Sequence, residues 1–167
     1  LHPMIHGGGQ EGGLRAGTEN VAFIVGLARA VELAVAELDD FARRAGALRD
    51  EFERRGRAAI PDAQVIGADG PRAPHVANLS LPGTDSEALL MHLDLAGVAC
   101  SSGSACSTGA VEPSHVLTAM GVPWDRAVAA LRFSFGKQNT AEDVEHAISV
   151  LPGVVEKVRS LAGVLGR

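Results

Sequence analysis

The chain has 167 residues, of which 46% are hydrophobic and 21% charged, with a formal net charge of −5. That balance favours a globular protein with one substantial core. The acidic charge, with Lys and Arg scattered and without aromatic partners, excludes a phosphate-backbone footprint, so no nucleic-acid partner is expected. No apolar run approaches the roughly 20 residues of a membrane helix, and Leu1-His2-Pro3-Met4 has neither the basic start nor the apolar centre of a signal peptide, so the expectation is a cytoplasmic protein without membrane association. The chain opens at Leu1 rather than Met and is expected to be a cut piece of a longer polypeptide.

From Leu1 to Gly17 the sequence is polar and glycine-rich. Gly7-Gly8-Gly9-Gln10-Glu11 and Arg15-Ala16-Gly17-Thr18 set a glycine loop, an arginine and a hydroxyl before a helix, either as an anion-binding end or as a linker with a capped helix. Thr18 and Asn20 are both candidate caps. Helical spacing then runs from Val21 to about Arg57, longer than a typical globular helix, with a break expected near Asp39-Asp40 or Gly46. Gln64-Val65-Ile66-Gly67 and His75 to Leu81 read as strands, the second alternating. Asp85 to Leu95 is a helix with Leu89, Leu90 and Leu93 as its apolar stripe, and Val98-Ala99 is a short buried strand.

Next comes Cys100-Ser101-Ser102-Gly103-Ser104-Ala105-Cys106-Ser107-Thr108-Gly109, which holds both cysteines. Small residues cannot build a core, and Gly103 and Gly109 free the backbone, so the segment reads as a mobile tether with Cys106 near its middle. Cys106 is either a reactive thiol or a surface thiol without a role, with Glu112 and His115 near it in sequence but neither placed as its base. Two cysteines suit a reducing compartment better than a disulfide scaffold. The six histidines stand singly, none paired with a cysteine at zinc spacing, so no metal site is expected.

A short helix follows from Ser114 to Met120, ended by Gly121 and Pro123. Leu131-Arg132-Phe133-Ser134-Phe135-Gly136 alternates, so Arg132 and Ser134 lie on the face opposite Leu131, Phe133 and Phe135. Arg132 there is either a fork for a carboxylate or a solvated side chain, and Asn78, also on a strand, is a weaker candidate. Thr140 opens a last helix that buries Val144, Ile148 and Leu151, meets Pro152-Gly153, and resumes with Val155, Val158 and Leu161. The fold class is α+β, a small, mostly antiparallel sheet flanked by helices. Only Lys137 and Lys157 are available as amines, neither in a setting that would desolvate it for imine chemistry.

The glycine-rich motif, the Ser101-to-Cys106 run with Glu112-Pro113-Ser114-His115-Val116-Leu117, and the Leu131-to-Gly136 block together resemble the C-terminal part of the cysteine desulfurases of the NifS/IscS type, over nearly the whole chain. The resemblance implies an aminotransferase-like (fold type I) small domain over 21–167, with 1–20 as the phosphate-contacting strip of a large domain. It further implies a homodimeric pyridoxal 5'-phosphate enzyme that takes sulfur from L-cysteine and leaves L-alanine. Cys106 would be the catalytic nucleophile and persulfide carrier, Arg132 with Asn78 would bind the substrate carboxylate, and Thr18 would reach the cofactor phosphate of the partner subunit. The sulfur would pass to an acceptor protein such as an iron-sulfur scaffold. The family's cofactor-anchoring lysine motif is absent from this chain, so the fragment alone is expected to be inactive. Two other readings keep the same motifs: a stand-alone sulfur-carrier or interaction domain, and a selenocysteine lyase-like enzyme.

Overall fold

The structure is a computed structural model and describes residues 1–102 and 112–164. Its contacts divide the chain into two compact units, Leu1–Asp40 and Phe41–Arg167.

In the first unit a short turn, Gln10–Gly13, precedes helix α1 (Val21–Ala36). Asn20 is the cap: its side-chain oxygen accepts from the Phe23 N–H at 3.2 Å, leaving the Thr18 hydroxyl out of that role. The long helical pattern breaks at Glu37, whose N–H closes α1 on Leu33 O, and helix α2 (Leu38–Ala59) starts directly after it. The break thus falls beside Asp39-Asp40, one of the two places expected for it, while α2 runs on through Gly46; both carboxylates occupy the first turn of α2, where they favour the positive end of the dipole.

The second unit is built on a four-stranded sheet, β1 (Gln64–Val65), β2 (Val76–Ser80), β3 (Ser101–Ser102) and β4 (Ala130–Ser134), in the order β1-β2-β4-β3 with every pair antiparallel. Helix α3 (Ser86–Leu95) joins β2 to β3, α4 (His115–Ala119) and α5 (Trp124–Ala127) precede β4, and α6 (Ala141–Val164) closes the chain. Alternation puts Ala77, Leu79, Leu131 and Phe133 on one face, all buried, against Phe52 of α2, Leu89 and Leu93 of α3, and Val144, Ile148, Leu151 and Val155 of α6. Phe52 and Phe133 rings lie 4.6 Å apart. Burying each large side chain contributes about 1.5–3 kcal/mol, so this layer sets the fold.

The expected strand at Val98-Ala99 is displaced: pairing occurs at Ser101–Ser102 instead, and Ala99 is exposed. Helix α6 does not stop at Pro152 but runs through it, because Leu151, Val155 and Val158 are buried on both sides of the proline and the packing outweighs one lost hydrogen bond; Leu161 is exposed. Among the described residues no helix is long and apolar enough to cross a membrane.

Candidate functional site

Among the described residues the second face of the sheet is covered by an apolar cluster at one end. Leu117 of α4, Ala127 of α5 and Ala130 of β4 form a small cluster with Ile66 and Val122, and the Ser80 hydroxyl donates to Arg126 O at 2.8 Å. Beyond that cover the same face continues as a polar row. Asn78 on β2 stands opposite Arg132 on β4, and Arg132 stands opposite Ser101 on β3.

The register fixes how close the first pair comes. Leu81 donates to Ala129 O and Phe135 to His75 O, so the hydrogen-bonded positions of this ladder include 81 with 129 and 75 with 135. Stepping by two leaves Asn78 and Arg132 as a non-hydrogen-bonded pair, the kind in which facing side chains approach most closely. Arg132 is exposed, and among the described residues no carboxylate pairs with it. Asn78 Oδ1 is buried and has no hydrogen-bond partner among the described residues. An exposed guanidinium that no carboxylate holds among the described residues can present its two-pronged fork to a carboxylate.

Of the two cysteines, Cys100 is a free thiol packed against the core. Burial, with a smaller push from the Asp94 carboxylate, raises it from the ordinary value of 9.0 to about 11. A thiol held so firmly in its protonated form is a poor nucleophile. Cys106, with Gly103 and Gly109, lies outside the described residues.

Thr18 belongs to the other unit. It is exposed and next to Gly17, which adopts a φ of +102°. Glu11, at 3.5 Å, and Gly17 O, at 2.7 Å, hold the Arg15 guanidinium, and the Gly17 N–H donates to Gln10 Oε1 at 3.3 Å, so the turn is organised while the Thr18 hydroxyl makes no hydrogen bond among the described residues. Among the described residues no group of His, Cys, Asp and Glu gathers at metal-binding distance.

Arg132 and Asn78 lie on strands, with Arg132 opposite the core, as the alternation of apolar residues predicts; their register with each other has no signal within either strand. Ser101 reads in sequence as part of the loop, whereas β3 places it beside Arg132. The only signal for that strand was the apolar Val98-Ala99-Cys100 run, which precedes it.

The sheet is thus packed against helices on one face and carries Asn78, Arg132 and Ser101 in one row on the other. The chain matches the class-V aminotransferase family over residues 5–146 and belongs to that family. It is 44% identical over 162 residues to the cysteine desulfurase IscS of Dictyoglomus turgidum, covering 97% of this chain and 41% of that protein. It is 46% identical over 162 residues to a cysteine desulfurase of Gluconacetobacter diazotrophicus, covering 97% and 40%. Among solved structures, a NifS-like protein from Rickettsia africae superposes with a TM-score of 0.79 at 32% identity, covering 93% of this chain and 40% of that one. The chain thus spans about 40% of the length of the relatives it matches.

The family implies pyridoxal phosphate. The residues present in the first unit suit the phosphate of such a group: the Thr18 hydroxyl makes no hydrogen bond among the described residues and stands beside Gly17, whose φ is +102°. The chain does not supply its covalent anchor, since Lys137 and Lys157 are both exposed rather than desolvated.

Proposed function

We propose that this chain is the sulfur-mobilising part of a pyridoxal-phosphate-dependent cysteine desulfurase that converts L-cysteine to L-alanine and keeps the sulfur as a persulfide on Cys106. The Asn78–Arg132 pair on the uncovered sheet face carries the reading, because it offers a carboxylate site one strand away from the segment that leads to Cys106. Arg132 holds the substrate carboxylate by a bidentate fork, with Asn78 completing the site, and Thr18 hydrogen-bonds the cofactor phosphate of the partner subunit. When bound, the cofactor draws electron density from the substrate's Cα and so allows the Cβ–S bond to break.

The Cys106 thiolate attacks the substrate sulfur. An S–S bond forms and the Cβ–S bond breaks, its electron pair staying with Cβ, which takes a proton and becomes the methyl group of alanine; sulfur is oxidised to the persulfide level as that carbon is reduced. The glycine and serine residues around Cys106 suit a thiol that must reach a buried adduct and then an acceptor. The whole enzyme acts in the cytoplasm as a homodimer and delivers sulfur to an acceptor such as an iron-sulfur scaffold.

Arg132→Lys in the complete enzyme tests the carboxylate assignment. A lysine keeps the charge but not the fork, so KM for L-cysteine should rise on the order of tenfold or more. An unchanged KM would remove Arg132 from the substrate site.

A further inference from the structure

The row across the open face raises a question about Asn78 itself. A carboxylate needs donors, and Asn78 can offer it only its Nδ2 amide; the atom left orphaned is the acceptor, Oδ1. Among the described residues the only other buried side-chain polar atoms without a partner are the two ring nitrogens of His92 on α3. An unpaired buried acceptor costs free energy, so it is retained where something donates to it in another state.

The candidate donor is set by the ladder. Ser80, two residues along β2, already donates to Arg126 O. The Asn78 backbone carbonyl is taken by the Ile66 N–H at 2.9 Å. Arg132, facing Asn78 across a non-hydrogen-bonded position, carries five N–H donors, none of them given to a carboxylate among the described residues. A fork that presents two N–H groups to a substrate carboxylate still has N–H groups left over on its other edge.

We propose that Asn78 is a positioning residue that acts through Arg132: Oδ1 accepts one of those remaining N–H groups when the fork turns onto the substrate carboxylate, and so fixes the plane of the guanidinium. Asn78 then contributes to substrate binding without supplying its own donor to the substrate. The inference rests on Arg132 as the carboxylate site and adds how that arginine is aimed. A guanidinium on a long, exposed side chain has many rotamers to lose, and a buried acceptor at its base lowers that loss.

The test is a double-mutant cycle in the complete, cofactor-loaded enzyme. Asn78→Ala should raise KM for L-cysteine about tenfold with kcat held within about twofold, the size of one charge-assisted hydrogen bond. The cycle is closed by calorimetric binding of L-cysteine in the Cys106→Ser enzyme, where no sulfur is transferred. There Arg132→Ala alone should weaken binding, and adding Asn78→Ala should weaken it no further. An equal loss from Asn78→Ala with and without Arg132 would mean that Asn78 touches the substrate directly and would overturn the inference while leaving Arg132 in place. An unchanged KM in Asn78→Ala, or a parallel fall of kcat and melting temperature, would overturn it as well. No effect of Arg132→Ala on binding would instead remove the carboxylate site itself, and the inference with it.

Discussion

Alkylation should distinguish the two cysteines, and the structure gives the size of the difference. Burial of Cys100, reinforced by Asp94, moves its thiol from 9.0 to about 11. Two pH units make the thiolate about a hundredfold rarer at any pH below both values, and only the thiolate is alkylated. Iodoacetamide at neutral pH, followed by peptide mass spectrometry against a free-cysteine standard, should label Cys100 about a hundredfold more slowly than the standard. The rate should climb as pH approaches about 11. The same shift has a stability consequence. The native state holds the Cys100 proton to higher pH than the unfolded chain does, so the contribution is fully present below about 9 and is lost as pH rises to about 11, a loss that Cys100→Ala should remove. Labelling of Cys100 at the rate of the standard at neutral pH would refute the argument that its packing makes it inert.

Two further outcomes test the frame that holds the site. Glu53 is buried on α2 and takes a two-pronged bond from Arg72, with Nη2 to Oε2 at 2.7 Å, which also raises the arginine's own pKa. Arg72→Met should lower the hydrogen-exchange protection of α2 by more than about tenfold, because it strands a buried carboxylate, while Glu53→Leu with Arg72→Met should recover most of it. Unchanged protection in the single variant would show the pair to be idle. Asp85 caps α3 by accepting from the Glu87 and Ala88 N–H groups at 2.8 and 3.2 Å, so Asp85→Ala should cost about 1 kcal/mol, read as faster exchange in the first turn of α3.

The open face shows where sequence reading reaches its limit. Alternation along Leu131 to Gly136 was enough to turn Arg132 away from the core, because period two is a property of a single strand. The pairing of Asn78 with Arg132 is a property of two strands and depends on register, which β2 and β4 settle together by burying Ala77, Leu79, Leu131 and Phe133. Strand β3 was misplaced for a related reason: Val98-Ala99 has the apolar content of a strand, but the ladder forms where Ser101 and Ser102 meet Arg132 and Leu131. Helix α5, four residues from Trp124 to Ala127, has too few turns to leave a periodic signal. Pro152 failed as a stop signal because buried neighbours on both sides outweigh a local preference. The glycine and cysteine motifs, being contiguous, were legible without any of this.

Whether sulfur passes to Cys106 is decided by trapping the adduct. The complete, cofactor-loaded enzyme is given L-cysteine without a reductant or acceptor, and its peptides are weighed while alanine is counted. One added sulfur atom on the Cys106 peptide is expected, with alanine formed in equal amount, and neither in the Cys106→Ser variant. Alanine and free sulfide released equally well by the Cys106→Ser enzyme, or the added sulfur found on Cys100, would contradict it.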